Sequence, residues 1–364
     1  FTRSKKRGDY NRALQTLVFH GASPEILYEA HPHIGTDRLP KIIERVRGTI
    51  VASGGEIHFG AKVTDIQIKN NRAVGVWVGD SLVEGAAVVL ATGHSADDIY
   101  EMLHAKGVLL EAKPWAMGVR VEHPQEVIDR IQYHSDDMRE WLPAASYTLT
   151  AQVGGRGVYS FCMCPGGVIV PAMTDYRECV VNGMSASARS SRWANAGIVT
   201  EVRPEDFPHL HEEWGVLAGL KYRQQLERHA AEIVGGGGTA PAQRLADFVA
   251  GRASFDLPRT SYLPKSVAMR GEEWLPDYMA DALRGGFRQW GARMRGFVSN
   301  NAQIIGLESR TSTPVRIPRD KESLVHPVVA GLYPTGEGAG YAGGIISAAL
   351  DGVRVAEKIA ETVK

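Results

Sequence analysis

Tyr333-Pro-Thr-Gly-Glu-Gly-Ala-Gly-Tyr-Ala-Gly-Gly-Ile-Ile-Ser347 is the stretch on which the reading of this chain turns. It closes a short apolar strand predicted over residues 328–333, runs through a turn with five glycines at 336–344, and opens a helix predicted over 345–363. Glycine has no Cβ, so a bulky ligand can approach the main chain there, and positive φ costs little. The helix aims its unpaired N–H groups and the positive end of its dipole into the same space. An anionic or electron-rich ligand edge is the natural occupant. Ile346, Leu350, Val353 and Ile359 are the candidate core contacts of the helix.

A second strand-to-turn junction lies near the front. Residues 86–90 are apolar throughout and are closed by Ala91-Thr92-Gly93; such a run predicts a strand covered on both faces, as in the parallel sheet of an α/β domain. Before it, a strand is predicted over 56–59, followed by a meander with turns at Asn70-Asn71 and Gly79-Asp80 and with Val74, Val76 and Val78 alternating. Two helices precede these strands. One spans 9–22, with Leu14, Leu17 and Val18 on one side and Gly21 as its stop. The other opens at Thr36 as N-cap, carries Leu39, Ile42, Ile43, Val46 and Ile50, and ends at Gly54-Gly55.

From about residue 111 the pattern is mixed α and β, with Trp115, Trp141, Trp193, Trp214, Trp274 and Trp290 expected mostly in the core. A helix is predicted from Pro204-Glu205-Asp206 through Leu210, Trp214, Leu217 and Leu220, and Gly235 to Gly238 mark a loop. Tyr278, Met279, Ala282 and Leu283 start a later helix that Phe287, Trp290, Met294 and Phe297 continue. No internal repeat or sustained heptad is present.

With 364 residues and 44% hydrophobic side chains, the chain can bury a large core or two lobes sharing a cleft. Its 41 basic and 41 acidic side chains cancel, so no overall field draws it to nucleic acid or an anionic membrane. Three cysteines, Cys162, Cys164 and Cys179, do not suggest a disulfide framework and suit a reducing cytoplasm. No apolar run approaches the ~20 residues of a membrane span. The chain begins at Phe1 rather than Met, which suggests a fragment.

These motifs resemble the FAD-dependent dehydrogenases, NAD(P)/FAD-dependent oxidoreductases of the two-lobed flavoprotein class related to glutathione reductase and p-hydroxybenzoate hydroxylase. The resemblance covers nearly the whole chain. It rests on Thr2-Arg-Ser-Lys-Lys-Arg-Gly8, His31-Pro-His-Ile-Gly-Thr-Asp37, Val88-Val-Leu-Ala-Thr-Gly93, Cys162-Met-Cys-Pro-Gly-Gly167, Arg310-Thr-Ser-Thr-Pro-Val-Arg-Ile317 and the glycine-rich turn. It implies an α/β fold: an incomplete, glutathione-reductase-like FAD-binding lobe from residues 1–110 and 320–364, with an inserted α+β substrate lobe at 111–319. Glu337 is then expected to accept a hydrogen bond from a ribityl hydroxyl of FAD. Gly336, Gly338 and Gly340 shape the turn, and Gly343, Gly344 and Ile345 lie beside the pyrimidine end of the isoalloxazine. Gly93 admits the adenylate side, and Val63 contacts adenine through its backbone.

That placement has a physical reason, since reduction leaves negative charge near N1 and the C2 carbonyl. A helix N-terminus stabilises such charge by ~0.3–1 kcal/mol, and by up to ~2 when partly buried. The implied reaction is electron-pair transfer through flavin N5 to or from a small molecule, with NADH or NADPH as candidate donor. The family also opens with a strand, a Gly-x-Gly-x-x-Gly turn and a helix that cradle the FAD pyrophosphate. No such turn occurs before residue 55. The intact gene product is therefore expected to carry it upstream of Phe1, and FAD to bind this chain weakly or not at all; a reading frame complete from near Phe1 contradicts the expectation.

Other residues have plainer readings. One residue between Cys162 and Cys164 is the wrong spacing for a Cys-x-x-Cys redox pair, so buried or incidental thiols are expected and a thiol-disulfide reductase is not. His31 and His33 lack a nearby carboxylate or thiolate, so no metal site is expected; they line the cleft or cap the helix at Thr36. Lys5, Lys6 and Arg7 beside Arg3 form a solvated arm, a contact for FAD phosphates or an anionic substrate, or a nucleic-acid patch, the last without aromatic support. Arg310 and Arg316 form ion pairs between lobes or hold a substrate carboxylate or phosphate. His33, Arg310 and Arg316 are thus the candidate substrate contacts. No general acid or base stands out, and neither does an oligomeric state. Two other functions stay open: a regulatory binding module with structural or lost flavin, and a flavoprotein acting on RNA.

Overall fold

The structure is a computed structural model and describes residues 10–29, 31–135 and 141–362; the basic arm Thr2 to Gly8 lies outside them. Two helices open the described chain, α1 (Tyr10–Phe19) and α2 (Leu39–Ala52). They pack through Leu14 and Ile42 on a small cluster that also takes in Ile346 from the far end of the chain. The antiparallel meander β1 (Val63–Lys69), β2 (Arg72–Val78) and β3 (Ser81–Glu84) follows. Its first turn is Asn70-Asn71, both at positive φ (51° and 57°), the conformation that a two-residue hairpin requires and that asparagine tolerates. Next come the short strand β4 (Val88–Leu90) and helix α3 (Asp97–Ala105).

The middle of the chain builds a seven-stranded sheet. Its elements in chain order are β5 (Glu111–Ala112), β6 (Trp115–Pro124), α4 (Gln125–Tyr133), β7 (Thr150–Val153), β8 (Arg156–Cys164), β9 (Val168–Pro171), β10 (Val181–Met184) and β11 (Trp193–Val202). Then follow α5 (His211–Trp214), α6 (Ala218–Glu232), β12 (Ala240–Arg244), α7 (Leu245–Ala250), β13 (Ser266–Ala268), α8 (Asp277–Arg293) and β14 (Gln303–Glu308). The sheet order is β13-β12-β14-β6-β11-β8-β7, antiparallel except for the β12–β13 pair. Strand alternation gives it two unlike faces. Met117, Val119, Val121 and Ile198 join Leu283 and Phe287 of α8 in the main apolar core. Arg120, Glu122, Asn195, Gln303 and Glu308 are buried as well and form a polar layer.

The last part of the chain pairs back with earlier strands. β15 (Val315–Arg316) pairs with β5, and β16 (Leu332–Pro334) lies parallel to β4, Leu332 opposite Val88 and Pro334 opposite Leu90. Helix α9 (Ile345–Thr362) closes the chain. The parallel pairing puts the turns after β4 and β16 at the same end, where α/β sheets hold their ligands.

Several sequence expectations change. Val88 and Leu90 are buried but Val89 is 46% exposed, so β4 is covered on one face rather than two. Residues 56–59 form no strand. Helix α2 starts at Leu39, because Thr36 gives its hydroxyl and amide to the Ser185 carbonyl instead of capping a helix. Residues 204–220 break into short 3-10 turns and α5 before α6 begins. Trp141 is exposed.

A run of charges, most of them buried, ties α3 to α6 and to the segment after β14. Asp97, at the first turn of α3, accepts from Arg223 and Gln224 of α6. Arg223 reaches Glu227 at 3.4 Å, and Glu227 with Glu178 pairs Arg310 at 3.0 and 2.7 Å. Burial, with Glu227 as a like charge beside it, raises the Glu178 carboxyl above its ordinary range. Removing the cation should therefore cost more than the pair contributes. Arg310→Met is expected to destabilise the protein by about 3–5 kcal/mol, because it strands buried carboxylates. Urea unfolding checks this, and an unchanged midpoint would refute the role given to Arg310.

Candidate functional site

The site is built where β4 and β16 end side by side. Gly338 rests directly on the turn after β4: a Cβ there would fall 2.4 Å from the Gly93 carbonyl oxygen, so only glycine permits this approach. The Tyr100 hydroxyl of α3 donates to the Gly338 carbonyl at 2.8 Å. From the other side, Asp351 of α9 accepts from the Thr335 hydroxyl (2.9 Å), the Gly336 amide (2.8 Å) and Arg319 (2.9 Å). Burial works to raise the Asp351 carboxyl, but Arg319 and these donors prevail and hold it below its usual range. Arg319 also donates to the Pro334 carbonyl and lies 4.2 Å over the Tyr341 ring. The turn is therefore braced before any ligand arrives.

Glu337 is the charged group of this turn. Its carboxylate stands 3.0 Å from His94 Nδ1 and accepts the Gly344 amide. The His94 hydrogen bond is the main reason its carboxyl is held below the ordinary range. The Gly343 amide donates to Ser347, whereas the Ile345 and Ile346 amides find no acceptor among the described residues. A Cβ placed on Gly93, Gly343 or Gly344 would meet no atom within 4 Å. Open space thus lies over three glycines, bordered by a carboxylate and a helix N-terminus, which is a cradle suited to a flat, electron-rich group.

The structure brings Gly93, Gly336, Glu337, Gly338, Gly340, Gly343, Gly344 and Ile345 into one place. Arg316 joins them at the rim, against Gly340 and 5.5 Å over the Tyr341 ring, with Glu111 at 3.6 Å. Val63 begins β1, and its neighbour Lys62 pairs with Asp98 of α3 at 3.0 Å. Arg310 is differently employed: its three guanidinium nitrogens are bonded to Glu178, Glu227 and Thr174. His33 Nε2 lies 3.0 Å from the Ala186 carbonyl, away from the glycine turn in sequence and in its contacts, and burial lowers its pKa. Next to it Asp37 accepts from Ser187, so the His31–Asp37 motif docks on residues 185–187.

Two groups escaped the sequence reading. His94 follows Ala-Thr-Gly directly, and that position was its only signal. The second is the buried pair Arg120 and Glu308, 2.8 Å apart, with Arg120 also bonded to Asn195 (2.9 Å) and Asn182 (3.2 Å). Burial raises the Glu308 carboxyl, and Arg120 opposes this. Among the described residues no three His, Cys, Asp or Glu side chains gather in a metal-binding group, and no helix is long and apolar enough to cross a membrane.

Because Glu337 is more acidic folded than unfolded, its contribution is present above the ordinary carboxyl range and fades as the pH falls through its folded pKa. Glu337→Gln should flatten the acid side of the stability profile. Melting midpoints of both proteins between neutral and strongly acidic pH check this, and parallel profiles would contradict it.

The family described as "FAD-dependent protein, C-terminal domain-like" matches residues 114–311, which hold the seven-stranded sheet. A curated protein of Clostridium beijerinckii (strain ATCC 51743 / NCIMB 8052), named "Uncharacterized protein", is 43% identical over 352 residues, 96% of this chain and 65% of its own length. The chain thus spans just under two thirds of that relative. Among solved structures, an oxidoreductase from Methanosarcina mazei is 15% identical, with 87% of this chain and 54% of that one covered and a TM-score of 0.36. Glycine oxidase from Bacillus cereus ATCC 14579 is 11% identical, with 89% and 57% covered and a TM-score of 0.34. Likeness at that level decides neither fold nor chemistry. The family match takes in more than half of the chain, which therefore belongs to the FAD-dependent protein, C-terminal domain-like family.

Proposed function

We propose that this chain is the larger part of a cytoplasmic FAD-dependent oxidoreductase, whose flavin sits over the glycine-rich turn. The observation that carries the reading is the open cradle above Gly93, Gly343 and Gly344, edged by Glu337 and the start of α9. FAD, when bound, supplies electron-pair transfer through N5 to or from a small molecule; the residues supply position and charge. Glu337 accepts a ribityl hydroxyl, and the Ile345 and Ile346 amides stabilise negative charge at the pyrimidine edge. Gly93 and Val63 admit the adenylate. In this reading residues 1–110 and 320–364 form the FAD lobe and 111–319 the substrate lobe.

Arg316 at the rim of the cradle meets an anionic group of the substrate. NADH or NADPH is the proposed electron donor.

Gly343 offers a clean test, since its φ is ordinary and a side chain there fills the cradle without striking protein. In the full-length protein, Gly343→Val should keep its melting midpoint without FAD yet bind FAD at least about tenfold more weakly, a difference of ~1.4 kcal/mol. The wild type should show the visible flavin band and lose it on anaerobic addition of NADH or NADPH. A full-length wild type that stays colourless in excess FAD would overturn the proposal.

A further inference from the structure

We propose that Cys162 and Cys164 form a reversible dithiol/disulfide couple that reacts with small organic disulfides, with Cys162 as the attacking thiol and Cys164 as the resolving one. This inference does not depend on the flavin. The spacing is wrong for a redox pair on a helix, but these residues lie at the end of a strand, where a bulge bends the backbone between them.

The local backbone favours the pair. Cys164 stands opposite Asn195 and Phe161 opposite Gly197, so Cys162 and Met163 together face Ala196 alone, a β-bulge. Cys162 takes a left-handed φ of 46°, rare for a residue with a side chain and frequent at functional sites. The Cys164 thiol donates to the Cys162 carbonyl at 3.4 Å. Cys162 is exposed while Cys164 is buried, which separates an accessible sulfur from a protected one. Room for the buried sulfur comes from glycine: a Cβ on Gly183 would lie 2.9 Å from Cys164 Sγ, and one on Gly167 3.0 Å from Cys164 Cβ.

The electrostatics point the same way. The fully buried Arg120 guanidinium is 3.0 Å from the Cys162 carbonyl oxygen and 3.9 Å from Cys164 Sγ. Donation from the Cys164 thiol, helped by Arg120, lowers the Cys162 pKa, and the same contact with burial raises that of Cys164. Glu308, Tyr147 and Arg189 are the other titratable groups around the pair. A low-pKa accessible thiolate beside a protonated partner is the arrangement of a reactive thiol.

The chemistry balances. The Cys162 thiolate attacks one sulfur of a disulfide RSSR, forming a mixed disulfide and releasing RS⁻. Cys164 loses its proton and attacks Cys162 Sγ, breaking the mixed disulfide and releasing a second RS⁻. The protein is oxidised by two electrons to the Cys162–Cys164 disulfide, and RSSR is reduced to two thiols.

The probe is oxidised glutathione, applied to the full chain under native conditions and read by intact mass and peptide mapping. Wild type should lose two hydrogens, keep no adduct, and yield a peptide with Cys162 joined to Cys164 while Cys179 stays free. Cys164→Ser should trap one glutathione on Cys162, and Cys162→Ser should take up none in the same time. In slightly acidic buffer Cys162 should react at least about tenfold faster than the thiols of the urea-unfolded chain. Should a serine variant fail to fold, the wild-type mass and peptide map decide. Wild type that keeps both thiols free, carries its adduct on Cys179, or reacts no faster than the unfolded chain overturns the proposal.

Discussion

The pairing of β4 with β16 is the constraint on which the candidate site depends. Three residues from each strand, more than 240 positions apart in sequence, lie parallel, and everything chemical follows from where they end. Because the strands run the same way, the turn after Leu90 and the turn after Pro334 emerge together, and the contact of Gly338 with Gly93 fixes their separation at backbone distance. A hairpin could not do this, since antiparallel neighbours send their following turns to opposite ends. His94 and Glu337 meet as a direct result.

Short strands hold such a register only if the flanking structure holds them. Here Tyr100, Arg319 and Asp351 brace the turns, and the run from Asp97 through Arg223 and Glu227 to Arg310 fastens the first turn of α3 to the large sheet. Each carboxylate in that run is matched by a guanidinium, as burial demands. The bulge at Cys162 lies on the large sheet, but its thiol pair answers to its own local geometry.

Local signals were legible. Asn70-Asn71 specified its hairpin, five glycines specified an open turn, and the periodicity after Ile345 specified a helix, because each depends on residues close in sequence. What was not legible depends on partners far away. Thr36 has the chemistry of a helix cap, yet the Ser185 carbonyl takes its hydroxyl and the helix begins three residues later. Arg310 reads equally as a substrate anchor or an ion pair until Glu178 and Glu227 are brought to it by folding. His94 finds Glu337 from 243 residues away, and Arg120 finds Glu308 from 188. Val89 shows the reverse limit: an apolar run announces that it can be buried on both faces, not that both faces are covered.

The central claim is that the amides around residues 336–346 embrace an isoalloxazine ring. Hydrogen–deuterium exchange of the full-length protein, with and without FAD, addresses it most directly. The account predicts that FAD slows exchange over residues 336–346 and over the turn 91–95 together, while the far strands of the large sheet stay unchanged. Protection confined to other segments, with both turns exchanging at their original rates, would contradict it.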